Sequence, residues 1–182
     1  MRVFADNTIY LTAALVCAGI GAVWDIRTRR IPNKLTGPAL VVGLLLHLYV
    51  GGWRSMLSAA LAGLIGGVVF LIFHLAGGMG AGDVKLIVAV LTIAGIHFVP
   101  QILLATALSG GIFAVVLAIW HGQLRSTLAN IGVLFTHHRM HGMAPHDELN
   151  VSNPATLRLP YGIAIAAGTA VCLVSFGAGT QP

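Results

Sequence analysis

Six stretches of this chain are apolar enough to seek hydrocarbon, at residues 8–24, 35–50, 56–75, 84–99, 102–120 and 161–178. That pattern confines the fold more than any other feature. Each stretch is close to the roughly 17–25 residues an α-helix needs to cross a bilayer. None alternates with period two, so strands are not expected. Charged residues make up 8% of the 182 and hydrophobic ones 57%, whereas a soluble domain carries about 25% charge. The expectation is an all-α membrane protein: one domain, residues 1–182, built as a bundle of six transmembrane helices. Pro38 falls near the start of the second stretch, where proline is tolerated. Gly63, Gly66, Gly67, Gly110 and Gly111 are expected to let helix backbones approach closely.

Lysine and arginine set the expected orientation. With six alternating spans, Arg27, Arg29, Arg30, Lys34, Lys85, Arg125, Arg139 and Arg158 share one side, and only Arg2 and Arg54 lie on the other. The basic side is then cytoplasmic and both termini are periplasmic. This bias accounts for the net charge of +5, so no nucleic-acid partner is called for. The first stretch resembles a signal-peptide core, but its strong positive charge follows it, which retains it as a span. The connection at about 123–160 is expected to be cytoplasmic. It opens with an interfacial amphipathic helix on Leu124, Leu128, Ile131 and Phe135 and turns polar from His137 onward. Trp24, Trp53, Trp120 and Tyr161 stand near span ends, as aromatic anchors do.

Against this apolar background two aspartates stand out. The chain has only five acidic residues, and Asp6, Asp147 and Glu148 lie in polar stretches. Asp25 closes the first apolar stretch and Asp83 opens the fourth. A carboxylate at a helix centre in hydrocarbon costs roughly 2.5–3.5 kcal/mol, and less towards an end. With an even number of spans between them, both belong to the same face. Peptide hydrolysis needs a base to activate water and an acid to protonate the leaving amine. Two close carboxylates sharing one proton supply both, because like charges so near cannot both ionise easily. Such a pair titrates jointly, so base and acid are not assigned separately.

The densest motif is Gly77-Gly78-Met79-Gly80-Ala81-Gly82-Asp83-Val84-Lys85-Leu86. Glycines free the backbone for turns and for close approach by another chain. Capping of a helix N-terminus is the plainer explanation of Asp83, but it leaves Asp25 and the glycine density unexplained. Lys85 has two readings, a contact to a carboxylate or substrate carbonyl, or a side chain snorkelling to the interface.

Gly80-Ala81-Gly82-Asp83 resembles the GxGD motif of intramembrane aspartyl proteases, in the form seen in type IV prepilin peptidases. Asp25-Ile26-Arg27-Thr28-Arg29-Arg30-Ile31-Pro32-Asn33 is similar to that family's first-aspartate segment. Leu159-Pro160-Tyr161-Gly162 is similar to the Pro-Tyr-Gly that opens its last span, with Ile163 where a proline often follows. The resemblance implies a membrane aspartic endopeptidase of the bacterial inner membrane. Its catalytic pair would be Asp25 and Asp83, with Gly80, Gly82, Lys85, Pro32, Asn33, Pro160, Tyr161 and Gly162 in support, and it would need no cofactor. Its partners would be the bilayer and a prepilin or pseudopilin with a basic leader, cut on the cytoplasmic side. Larger members carry paired CxxC motifs and methylate the new N-terminus. The expectation here is the short, peptidase-only form of tight-adherence (Flp-type) pilus systems, without N-methyltransferase activity.

The same residues admit other readings. A small ion- or proton-coupled transporter would use Asp25 and Asp83 as an ion site, and would show an inverted repeat or broken mid-membrane helices. An inactive assembly factor would have lost an aspartate. A presenilin-type protease carries Pro-Ala-Leu in place of Pro160-Tyr161-Gly162. His137, His138, His141 and His146 form a cluster without a completing ligand set, so no metal site is expected. His47, His74 and His97 are isolated and read as packing or interface residues. Cys17 and Cys172 read as small buried hydrophobes. Arg27, Arg29, Arg30 and Lys34 would repel a basic leader.

Overall fold

The structure, a computed structural model, describes residues 2–141 and 160–178, with some side chains near the N-terminus and between 128 and 141 excepted. It contains six α-helices and, among the described residues, no strand. They are α1 (Arg2–Thr28), α2 (Asn33–Leu75), α3 (Ala81–Ala94), α4 (Val99–Trp120), α5 (Leu124–His141) and α6 (Tyr161–Ala178), with a 3-10 turn at Ile96–Phe98 between α3 and α4.

The ends of α1 and α2 are written in local chemistry. Arg29 takes a left-handed φ of 53° and its N–H returns to the Asp25 carbonyl at 2.8 Å, which stops α1. Pro32, extended at φ −73° and ψ 141°, precedes α2, and its carbonyl accepts from Leu35 N at 3.0 Å. The two expected spans, 35–50 and 56–75, are two helical arms joined without a loop, 43 residues in all, and α2 denotes both. Straight, it would run about 64 Å at 1.5 Å per residue, twice a hydrocarbon core of about 30 Å. It is broken at Gly52, whose φ of 71° and ψ of −171° are not helical. This is conformational space that glycine enters freely and side-chain-bearing residues do not.

The break folds α2 back on itself, and α3 lies against both arms. At one end, Lys85 Nζ donates to Asn33 Oδ1 at 2.9 Å, and His74 Nδ1 donates to the Met79 carbonyl at 2.9 Å. At the other, His47 Nε2 donates to the Ile93 carbonyl at 3.1 Å, and its Nδ1 pairs with Ser55 Oγ at 3.0 Å. Glycine makes this wrapping possible. A Cβ on Gly43 would press on Ile93, one on Gly63 on Thr92, and one on Gly66 on Leu91. The expected role of Gly63, Gly66 and Gly67 is therefore met, since Gly67 abuts Val88. Gly110 has only ordinary contacts and Gly111 has open space.

α3 is shorter than the expected stretch 84–99. Gly95, at φ 90°, and the 3-10 turn end it early. Nine of its fourteen residues are buried, Leu86, Ile87 and Val90 completely. A helix enclosed by its neighbours need not span the lipid thickness by itself. α6 packs on α1 and α4, and α4 meets it where a Cβ on Gly168 would collide with Thr106. Thr106 Oγ1 is buried and has no hydrogen-bond partner among the described residues.

The exterior is apolar as well as the interior. Val41, Leu45, Leu64, Leu104, Ile112 and Val174 are exposed, while Leu11, Leu86, Ile87 and Ile165 are buried. That is what lipid-facing helices packed through small residues require. Among the described residues, four helices are long and apolar enough to cross a membrane, at Asn7–Thr28, Asn33–Leu75, Ile96–Trp120 and Tyr161–Ala178. Trp53 and Trp120 are exposed, while Tyr161 is half-buried. Cys17 and Cys172 are free and buried, as small hydrophobes would be. The helix expected at the start of the long connection continues to His141, beyond the polar boundary expected at His137. His146 and the remainder of that connection, 142–159, lie outside the described residues, as do the side chains of Leu128, Ile131, Phe135, His137, His138 and His141.

Candidate active site

Five chain segments meet at one end of the bundle: the C-terminus of α1, both ends of α2, and the N-termini of α3 and α6. Asp25 lies in the last turns of α1 and Asp83 in the first turn of α3. Both are buried, each 9% exposed. Asp25 lies close enough to Asp83 for its charge to bear on the Asp83 carboxyl, and Asp83 bears likewise on the Tyr161 hydroxyl.

Each carboxylate is held by a backbone amide from a glycine. Gly162 N–H donates to Asp25 Oδ2 at 3.0 Å, and Gly80 N–H donates to Asp83 Oδ2 at 3.1 Å. Charge-assisted bonds of this kind are stronger than those between neutral groups. Asp83 stands three residues after the N-cap Gly80, so its carboxylate, in accepting from Gly80 N–H, does cap its own helix. The capping explanation is thus correct, yet the capped carboxylate also sits beside Asp25. At Gly162 the α1 and α6 backbones nearly touch. A Cβ there would lie 3.0 Å from Ala22 Cα and 3.2 Å from Asp25 Oδ2.

The three sequence motifs converge. Ile31 of the first loop covers Gly82, whose added Cβ would lie 3.2 Å from Ile31 Cβ. Lys85 Nζ donates to Asn33 across the same joint. It ties the first motif to the second. Pro32 and Pro160 act through their carbonyls at helix starts, Pro160 accepting from Ile163 N at 3.0 Å. A proline at 163 would have no N–H for that bond. Ala81 and Gly82 begin α3 itself, which leaves Gly77–Gly80 as the turn before it.

His74 was not anticipated at the site. Its imidazole, in the last turn of α2, holds the Met79 carbonyl and lies near enough to Asp83 to affect its charge. A carbonyl only accepts, so Nδ1 carries the proton. A lone histidine five residues before the loop it fastens has no readable periodicity. Beside the site an apolar cavity of about 280 Å³ runs between α2 and α4, closed by Met79 and Tyr161. No group of three or more metal-ligating side chains occurs among the described residues.

Residues 10–115, which hold both aspartates, match the model of the type IV leader peptidase family. Two relatives from Burkholderia pseudomallei, strains 1026b and K96243, are each named prepilin leader peptidase/N-methyltransferase. Each is 33% identical over 135 residues, covering 69% of this chain and 43% of the relative. The chain therefore spans less than half the length of these curated relatives. No solved structure matches. A match over more than half of the chain, centred on the two buried aspartates, makes it a member of the type IV leader peptidase family.

Proposed function

We propose that the chain is a membrane aspartic endopeptidase that removes the leader from type IV prepilin-like proteins at the cytoplasmic face of the inner membrane. The observation that carries this reading is the meeting of Asp25 and Asp83 at one end of the bundle, each anchored by a glycine N–H. Family membership supports the same reaction class.

In the proposed reaction the pair holds one proton. The ionised carboxyl draws a proton from a water as its oxygen bonds to the scissile carbonyl carbon. The protonated carboxyl gives its proton to the departing nitrogen as the C–N bond breaks. The products are a free carboxylate on the leader and a new N-terminal amine, and the pair regains one proton overall. Gly80, in the turn before α3, adds no side chain to the approach, so an extended strand can lie along that turn, whereas Gly82 is covered by Ile31.

The proposed topology has six spans, with Gly52 dividing α2 into two and α3 plus its 3-10 turn forming a short fourth. Eight of the ten Lys and Arg residues then face the cytoplasm, by the assignment above, with both termini periplasmic. The substrate's basic leader stays in the cytoplasm while the bilayer holds its apolar helix, which sets the cut bond at the height of the aspartates. The ion-transport alternative calls for a site near mid-membrane, whereas both aspartates lie at a helix end.

Co-expression with small pilins of the same genome tests the proposal. Mass spectrometry should show leader loss with the wild-type chain. Asp25→Asn or Asp83→Asn should lower cleavage by about 10²-fold or more. Undiminished cleavage by either correctly inserted variant overturns the assignment. A methylated product N-terminus overturns the proposal that cleavage proceeds without methyl transfer.

A further inference from the structure

The opposite end of the bundle holds a second built site. A cavity of about 620 Å³ opens there between α1, the Gly52 turn of α2 and the end of α3, within the roughly 300–1,000 Å³ usual for ligand sites. Tyr10 and Asp25 are fifteen residues apart on α1, about 22 Å along the axis, so this cavity is remote from the aspartates. Its polar lining comes from Asn7, His47, Arg54, Ser55, Ser58 and His97. No carboxylate is among the lining residues.

Several backbone features converge on that lining. The non-helical Gly52 turns the chain so that Ser55 returns to His47 Nδ1. Gly95, at φ 90°, leaves room for the imidazole, since a Cβ would lie 3.1 Å from its Cε1. His47 is buried, held at both nitrogens and stacked on Tyr10 with ring centroids 4.1 Å apart. It forms a rigid wall. Arg54 is exposed, with its guanidinium 5.7 Å from the Trp53 ring. An arginine at a rim that also carries hydroxyl, amide and imidazole groups suits a phosphate oxyanion.

We propose that this cavity binds a phosphate group, carried by an anionic phospholipid headgroup or free in solution, with Arg54 as its principal charged contact. Its height at a bundle end, beside the exposed Trp53, is that of a membrane interface.

Native mass spectrometry of the full chain in detergent, titrated with phosphatidylglycerol or phosphatidylcholine, tests the site. One phosphatidylglycerol should be retained in preference. Arg54→Gln should weaken it about tenfold or more, and Arg54→Lys should weaken it less. Arg125→Gln, on α5 at the other end, should leave it unchanged. Displacement of the lipid by inorganic phosphate assigns the cavity to the free anion, and retention in its presence assigns it to the headgroup. Either supports the proposal. Equal lipid retention by wild type and Arg54→Gln, or equal weakening by Arg54→Gln and Arg125→Gln, overturns it.

Discussion

Gly162 has no room for a side chain, and its amide holds Asp25. Gly162→Ala should therefore separate α6 from α1, at an overpacking cost of about 1–3 kcal/mol, and lengthen the anchoring hydrogen bond. The expected outcome is a loss of cleavage larger than the loss of thermal stability in detergent, with both measured on one preparation. Lys85 and Asn33 make a different kind of contact, an exposed hydrogen bond between distant segments. Lys85→Met and Asn33→Ala should be non-additive in unfolding, with a coupling of about 0.5–1.5 kcal/mol. Additive effects would show that this bond does not form in the membrane protein. At this scale the sequence was readable for residues within motifs. Asp25, Asp83, Gly80 and Gly162 were visible because carboxylates are rare in apolar stretches and because their neighbours resemble a family. The Lys85 partner was not readable, since a bond over 52 positions leaves no local pattern. His74 was missed for a related reason, as one imidazole on an apolar helix looks the same whether it fastens a loop or fills a gap.

Gly52 is the joint of the longest element. Its φ and ψ lie where non-glycine residues are strained by about 1–3 kcal/mol. Gly52→Ala should lower the thermal unfolding midpoint measurably in detergent, while cleavage by the folded fraction persists, because the joint is at the end remote from Asp25 and Asp83. A variant with an unchanged midpoint would mean that α2 does not turn there. The six apolar stretches anticipated the helices well, because burial in lipid writes itself as composition. What composition did not convey was how two of them join. The stretches 35–50 and 56–75 are two helical arms that meet without a polar loop, since the chain reverses at a single glycine. Composition also overestimated α3. An apolar stretch reads the same whether lipid or protein surrounds it, and α3 is surrounded by the arms of α2.

Across the whole molecule, the proposed orientation separates the two ends chemically. Single cysteines introduced at Arg30 or Gly78 should react with a membrane-impermeant thiol reagent only after the cytoplasmic side is opened, and those at Trp53 or His97 should react in intact cells. The background cysteines Cys17 and Cys172 are buried. The reverse labelling pattern would put the aspartates outside and remove the proposed substrate geometry. The sequence conveyed the shared face of the aspartates through the even count of stretches between them. It did not convey that α6, which falls beyond the family-matched residues 10–115, supplies a donor to Asp25. That donor, like the one at Gly80, belongs to the main chain. Every residue type but proline carries such a group. Only proline at 80 or 162 deletes such a tether outright, yet any side chain at either position presses on the carboxylate it holds, so the acidic pair depends on the smallness of these two residues and on no functional group of their own.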